Sequence, residues 1–222
     1  MSRSRLAALT AFDRSFDRQG ETLLAGVDEA GRGPLAGPVV AAAVVFIRPV
    51  KGRTVLSDLN DSKQLTASAR ERLFHEIVRV ASVSVARVGE DEIDRMNIYQ
   101  ATRLAMKDAV LGLTRTPDHL LIDGIMKLDL PVLQTPVIGG DGKSASIAAA
   151  SIIAKVCRDA WMHRLDQLYP DYNFKQHKGY GTPQHLQKIV EFGPCPVHRK
   201  TFFPVQNFFQ TSETQVSSSY PD

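Results

Sequence analysis

Two adjacent carboxylates, Asp28 and Glu29, follow the apolar run 23–27 and stand shortly before the glycine-flanked Arg32. Neighbouring side chains on a regular strand point to opposite faces, so both acids can serve one site only if the strand ends or twists there. Glycine lets a backbone approach a ligand closely, and the guanidinium of arginine suits phosphate geometry. Carboxylates can lie beside a phosphate-binding group when a divalent cation lies between them. The segment therefore predicts metal-assisted chemistry on a phosphate.

Two further acids occupy comparable positions. Asp123 comes directly after the apolar run 120–122, and Asp141 lies in the glycine-rich stretch 139–142. A single Asp at a strand end is more often a turn or cap residue. Acids that follow strands meet at the edge where open sheets usually bind ligands, and four carboxylates there would repel one another without cations. Oxygen ligands suit Mg²⁺ or Mn²⁺, and paired ions can hold the attacking and leaving oxygens of a phosphodiester.

Two glycine patterns resemble nucleotide-binding loops without completing them. The glycines after Glu29 are spaced GxGxxxG and lead into a second strand rather than a helix. Gly142-Lys143-Ser144 resembles the end of a P-loop, but Val137 stands where that loop requires its first glycine. Lys143 and Ser144 nevertheless open a predicted helix, whose N-terminal amides attract anions, and Ser144 can equally be a plain helix cap. A phosphotransferase is therefore an alternative that tight ATP binding would support.

Composition indicates an ordinary globular protein with one substantial core. The chain has 222 residues, 43% hydrophobic and 23% charged, and a net charge of +3 permits a nucleic-acid partner without requiring one. Cys157 and Cys195 lie far apart, which argues against a disulfide framework or a zinc site. The N-terminal apolar run is too short for a signal peptide, and no stretch reaches the roughly 20 apolar residues of a membrane span. We therefore expect a cytoplasmic protein, and a monomer is the default expectation, because the sequence gives no oligomeric state.

Hydrophobic patterns predict alternating strands and helices. Strands are expected over 22–27, 37–47, 82–88, 120–123 and 132–138, and Pro136 limits the last to an edge or an irregular piece. Helices are expected over 66–80, 90–113 with a break near Asn97, 144–168 and 182–192. This order predicts an α/β layer architecture with a helical C-terminal part.

The motifs taken together resemble those of the type 2 ribonuclease H family, the ribonucleases HII. The resemblance runs in the same order from about Leu23 to Phe203, through 26–39, 61–65, 122–124, 140–141, 146–156, 177–182 and 198–199. It implies an α/β fold: a ribonuclease-H-like mixed sheet flanked by helices, with a helical C-terminal extension. We expect a catalytic domain over 1–170, the extension packed on it over 171–210, and a disordered tail over 211–222.

The resemblance also implies an activity. Members cut the RNA strand of RNA–DNA hybrids and cut on the 5′ side of single ribonucleotides in duplex DNA, leaving a 3′-hydroxyl and a 5′-phosphate. The catalytic and metal-binding carboxylates would be Asp28, Glu29, Asp123 and Asp141, around two Mn²⁺ or Mg²⁺ ions. Asp28 would bridge both ions, Asp141 would hold the ion that activates water, and Glu29 and Asp123 would hold the ion at the leaving group.

Substrate contacts are implied in the same way. Tyr180 stands between two glycines, and an aromatic side chain on an open loop can pack on a sugar or base. The resemblance implies that Gly31, Arg32, Gly33 and Tyr180 sense the 2′-hydroxyl, and that Lys63, Lys143 and Arg199, with Ser144 beside them, contact backbone phosphates.

The expected partners are RNA–DNA hybrids and duplex DNA containing ribonucleotides, with no membrane. The tail from Thr211 lacks the short glutamine- and leucine-containing pattern that recruits some family members to sliding clamps, so clamp binding is doubtful. A catalytically silent hybrid-binding protein is a further alternative. The four acids argue against it, because carboxylates that face nucleic acid weaken binding unless metals neutralise them.

Overall fold

The computed structural model describes residues 2–17, 22–47, 55–59 and 65–210. Lys63 lies outside these ranges, as do the rest of 61–64 and the tail 211–222, so the predictions made for them stay predictions. In the part of the chain that is described, no helix has the length and apolar character needed to cross a membrane.

A mixed five-stranded sheet forms the centre of the fold. In chain order its strands are β1 (Leu24–Ala30), β2 (Val39–Phe46), β3 (Ala81–Val88), β4 (His119–Asp123) and β5 (Leu133–Val137). Their spatial order is β3-β2-β1-β4-β5, with β1, β2 and β3 antiparallel to one another in turn and β1, β4 and β5 parallel. The edge position predicted for the strand with Pro136 is confirmed, since a proline is tolerated where one side needs no ladder bonds.

The helices follow the predicted order. They are α1 (Ser2–Arg14), α2 (Ala67–Val80), α3 (Glu90–Leu111), α4 (Ala145–Leu168), α5 (Phe174–His177), α6 (Pro183–Phe192) and α7 (Asn207–Gln210). Before α2, α4 and α6, the hydroxyls of Thr66, Ser144 and Thr182 each accept a backbone N–H three residues on. The break in α3 is confirmed at Asn97, where φ is 68°. Helix α1 has no counterpart among the sequence-based predictions.

Helices cover both faces of the sheet. Ala25 and Val27 of β1 pack in one apolar cluster with Met106 of α3. Gly26 points the other way, toward α4, which packs with α1 and α2 in a second cluster. By this alternation, Asp28 also leaves β1 on the α4 side.

Gly26 lets the start of α4 approach β1 directly beside Asp28. A Cβ at this glycine would lie 2.1 Å from the carbonyl carbon of Ser146, a backbone atom that cannot move aside cheaply. We therefore expect Gly26→Ala to lower the free energy of unfolding by about 3 kcal/mol, as overpacked cores do, measured by urea denaturation. Gly142→Ala is the matched control, because nothing lies within 4 Å of its Cβ. Equal losses in both variants would contradict this account of the packing.

The C-terminal part, from the turn after α4 through α7, is helical as predicted and packs on the loop 31–38. The Leu35 N–H donates to Gly179 O at 2.8 Å, and the Arg199 N–H donates to Leu35 O at 2.8 Å. Ala36 and His198 form an isolated antiparallel bridge. The loop that follows β1 is thus held between two segments of the C-terminal part, whereas the predicted boundaries at 170 and 210 stay predictions.

Candidate active site

The first group of predicted site residues lies at the ends of two central strands. Val27 of β1 pairs with Ile122 of the parallel β4, so the following residues, Asp28 and Asp123, lie at the same edge of the sheet. Burial raises the pKa of Asp28 well above its ordinary value, and the neighbouring charges of Glu29 and Asp123 raise that pKa further. Three of the four predicted carboxylates therefore share one electrostatic environment.

The strand β1 does not end at Asp28 but continues to Ala30, still paired with β2. Asp28 and Glu29 therefore leave opposite faces of the sheet, although the charge of Glu29 still acts on Asp28. One carboxylate oxygen of Asp28 accepts the Glu29 N–H at 2.7 Å. Glu29 in turn forms an ion pair with Arg32 at 3.4 Å, which links it to the loop that follows β1.

Asp141 lies near Asp123 because the backbone of the residue before it is hydrogen-bonded to Asp123. Asp123 Oδ1 accepts the Gly140 N–H at 2.7 Å. Gly139 has φ 63°, a left-handed conformation that glycine adopts without strain, and it turns the chain into the short 3₁₀ turn 140–142. Asp141 is half-buried within this turn, one residue after the hydrogen bond to β4.

The donor set suits a hard divalent cation. All four groups are carboxylates, and the crowding of Glu29 and Asp123 around the buried Asp28 is costly unless positive charge compensates it. Within residues 2–17, 22–47, 55–59 and 65–210, however, no three His, Cys, Asp or Glu side chains are already arranged to hold an ion. The chemistry of the donor set, rather than a preformed cluster, therefore supports a divalent cation.

Gly33 and Tyr180, 147 positions apart, lie together on the surface beyond β1. A Cβ at Gly33 would lie 3.8 Å from Tyr180 Cε1, and the Tyr180 side chain is 46% exposed. Arg32 is exposed beside Gly33, whereas Gly31 is buried beneath them. The structure thus brings these four predicted residues into one region, and their contact with a 2′-hydroxyl stays a prediction.

Lys143 and Ser144 differ sharply in exposure. Lys143 is exposed, and its Nζ donates to Ile138 O at 2.7 Å. Ser144 is fully buried, accepts the Ile147 N–H at 3.2 Å and forms a hydroxyl–hydroxyl bond with Ser146 at 3.0 Å. Ser144 is therefore the helix cap that its sequence position allowed, and its burial gives no support to a phosphate contact.

Arg199 is fully buried, which gives no support to its predicted phosphate contact. Its guanidinium donates to the carbonyl oxygens of Gly31, Arg32 and Gly37. A second buried arginine, Arg158 of α4, contacts the same loop and was missed by the sequence analysis. The sequence signal that could have revealed the burial of Arg158 is its place on the buried face of α4, four residues before Met162.

A cluster of buried histidines contacts the backbone of Tyr180, and the sequence analysis did not predict it. His185 Nδ1 is hydrogen-bonded to Tyr180 O at 2.9 Å, and its Nε2 lies 3.1 Å from His198 Nε2. Burial lowers the pKa of both His185 and His198 to about 4, so that both rings are neutral near pH 7. The backbone of Tyr180 is therefore anchored although its ring is exposed.

Solved structures with the same fold define the class of protein. Ribonuclease H2 from Pyrococcus horikoshii OT3 has a TM-score of 0.69 and 28% identity, covering 86% of this chain and 98% of its own. RNase HII from Archaeoglobus fulgidus, solved in a complex with PCNA, has a TM-score of 0.67 and 25% identity, covering 81% and 95%. The fold is that of the type 2 ribonuclease H structures.

Sequence comparison narrows this class to one family. The family model for Ribonuclease HII matches residues 25–205. A ribonuclease HII of Bacillus cereus (strain B4264) is 50% identical over 203 residues, which cover 91% of this chain and 77% of that relative. The chain belongs to the ribonuclease HII family. It is therefore a metal-dependent ribonuclease H, an endonuclease of the class that acts on RNA–DNA hybrids.

Proposed function

We propose that this protein also cuts duplex DNA on the 5′ side of a single embedded ribonucleotide, by two-metal-ion hydrolysis that leaves a 3′-hydroxyl and a 5′-phosphate. The observation that carries the proposal is the crowding of carboxylates around the buried Asp28, whose pKa is raised by burial and by Glu29 and Asp123. Such crowding opposes stability and is expected where a site is built for cations.

The proposed ligands of the two Mg²⁺ or Mn²⁺ ions are the carboxylates of Asp28, Glu29, Asp123 and Asp141. Bound ions of this kind activate the attacking water and stabilise the leaving oxygen. We assign the shared position to Asp28, the water-side position to Asp141, and the leaving-group side to Glu29 and Asp123. Support comes from the hydrogen bond of Asp123 to the Gly140 N–H, which orients the loop beside Asp141.

Recognition of the 2′-hydroxyl is assigned to the surface formed by Arg32, Gly33 and Tyr180, with the buried Gly31 directly beneath it. Gly33 has no side chain and is exposed, so its backbone is within reach of a ligand. The neighbouring Tyr180 ring is exposed for packing on a sugar. The 2′-hydroxyl is the group that distinguishes RNA from DNA at one site, so a backbone loop beside an aromatic ring suits its recognition.

Backbone phosphates are assigned to Lys143 and, outside the described residues, to Lys63. Contacts of this kind position the duplex without specifying sequence. Ser144 and Arg199 are left out of the proposed interface, because both are fully buried. The proposed partners are RNA–DNA hybrids and ribonucleotide-containing duplexes, while clamp binding stays doubtful and the monomer stays a prediction.

A long RNA–DNA hybrid with the RNA labelled at its 5′ end tests the hydrolase and its metal dependence. We expect internal cuts in the RNA with Mn²⁺ or Mg²⁺, loss of cleavage in EDTA, and recovery when excess Mn²⁺ is added. Single-stranded RNA of the same sequence is the control and should stay intact. Cleavage that persists in EDTA would contradict the assigned ligands.

A further inference from the structure

Among the described residues, Arg158 and Arg199 are the two largest fully buried side chains, with exposures of 1% and 0%. Burying a guanidinium is costly unless its charge is paired and its donors are satisfied. Across the described ranges, neither arginine has a carboxylate within ion-pair distance. At longer range Glu90 acts on both, Asp159 on Arg158 and Asp94 on Arg199. Because no ion pair offsets the cost of burying these guanidinium groups, the groups that they contact must explain why they are buried.

Arg199 joins the two ends of the loop 31–38. Its Nη2 donates to Gly31 O at 2.6 Å, its Nη1 to Arg32 O at 2.8 Å, and its Nε to Gly37 O at 3.0 Å. Gly37 lies five to six residues after the other two along the chain, so one planar fork closes the loop on itself. Burial and the charge of Arg158 lower the pKa of Arg199 to about 9, which leaves it protonated at neutral pH.

Arg158 fills the space beneath the same loop. Its Nε donates to Pro38 O at 3.1 Å and its Nη2 to Ala36 O at 3.2 Å. A Cβ at Gly31 would lie 2.0 Å from Arg158 Nε, and Gly31 has φ +98°. The glycine and the arginine therefore fit one another, because the guanidinium occupies the place that a side chain would take.

The opposite side of this loop is the exposed surface at Gly33, beside the Tyr180 ring. Recognition of a single hydroxyl requires a binding surface held to within about 0.5 Å. A loop with two glycines in left-handed conformations does not hold such a position by itself. The buried guanidinium groups of Arg158 and Arg199 donate hydrogen bonds to the carbonyl oxygens of the loop and so make it rigid.

We propose that Arg158 and Arg199 are positioning residues for ribonucleotide recognition, holding the loop 31–38 so that its exposed backbone distinguishes a ribonucleotide from a deoxyribonucleotide. Neither touches the substrate. The inference rests on the proposed function, because it assigns a cause to the selectivity of the same surface. Lysine at either position keeps the charge but loses the planar fork, so charge alone does not restore the effect.

The test compares Arg199→Lys and Arg158→Lys with the wild type by binding. Affinities are measured for a DNA duplex with one internal ribonucleotide and for the same duplex in DNA alone, with Ca²⁺ in place of Mg²⁺. We expect the wild type to prefer the first duplex and Arg199→Lys to lose at least about tenfold of that preference. Mn²⁺ affinity and circular dichroism should be unchanged. Met106→Ala, a cavity in the core at α3, is the control for lost stability and should keep the preference.

The possible results distinguish failure of the inference from failure of the proposed function on which it rests. If the wild type neither prefers nor cuts the ribonucleotide duplex, the proposed function and the inference both fail. If the wild type shows the preference and a folded Arg199→Lys keeps it within about twofold, the inference alone is overturned. If Arg199→Lys does not fold, Arg158→Lys decides by the same criterion, since it loses fewer hydrogen bonds to the loop.

Discussion

Asp28→Asn abolishes cleavage of RNA–DNA hybrids and of ribonucleotide-containing duplexes while the fold is retained. Asp28 is the carboxylate around which Glu29 and Asp123 crowd, so its charge is the one most needed to bind cations. Replacing even the outer partners of metal ligands costs about 10–100-fold, and we expect a direct ligand to cost more than the upper value. Initial rates with Mn²⁺ and with Mg²⁺ measure the loss.

Asp129→Asn is the matched control, because Asp129 is an exposed acid that forms an ion pair with Lys107 at 3.2 Å. It should cleave like the wild type. Turnover of Asp28→Asn within about tenfold of the wild type would remove Asp28 from the proposed metal site.

Asp28→Asn should be more stable than the wild type when metal is absent. In the wild type, a buried carboxylate lies beside two others, and asparagine removes that repulsion while keeping the shape. Thermal unfolding in EDTA at neutral pH should show a higher melting temperature, by roughly 2–4 °C for each kcal/mol gained in a chain of this size. A lower melting temperature would mean that Asp28 serves the core rather than a site.

Tyr180→Ala should reduce cleavage at a single embedded ribonucleotide by roughly 10–100-fold, the range expected when one stacked aromatic is lost. The ring is 46% exposed beside Gly33, and its backbone is anchored by His185, so removing the ring should not disturb the loop. Steady-state rates on a duplex with one ribonucleotide measure the effect.

Tyr180→Phe is the matched control and separates the ring from its hydroxyl. We expect it to stay within about threefold of the wild type, because packing on the sugar needs only the ring. Unchanged cleavage by Tyr180→Ala would remove Tyr180 from the proposed recognition surface. A large loss in Tyr180→Phe would instead assign the recognition to the hydroxyl.

The carboxylates were predictable because their signals are local. Asp28 and Asp123 each follow an apolar run, and such a run indicates a buried strand wherever that strand lies in the sheet. Asp123 is the last residue of β4, whereas β1 continues past Asp28 to Ala30. The caps at Thr66 and Thr182 are local in the same sense, since a hydroxyl meets an amide three residues away. These features needed no knowledge of distant contacts.

The burial of Arg199 could not be predicted in this way. It results from contacts with Gly37, 162 positions earlier in the chain. A basic residue beside His198 looks like surface until the pairing of His198 with Ala36 is known. Helix α1 also depends on a distant contact, since its Asp13 accepts the Ser146 N–H from 133 positions away. Local periodicity therefore located the candidate site, and long-range pairing determined which of the predicted residues are exposed.

The most direct test uses a DNA duplex with one internal ribonucleotide, incubated with the protein and Mg²⁺ or Mn²⁺. An all-DNA duplex and an EDTA sample are the controls. We predict a metal-dependent cut just 5′ of the ribonucleotide, with a 3′-hydroxyl and a 5′-phosphate, while the all-DNA duplex stays intact. An intact ribonucleotide duplex, under conditions in which the same folded protein cuts a long hybrid, would contradict the proposed recognition of a single 2′-hydroxyl.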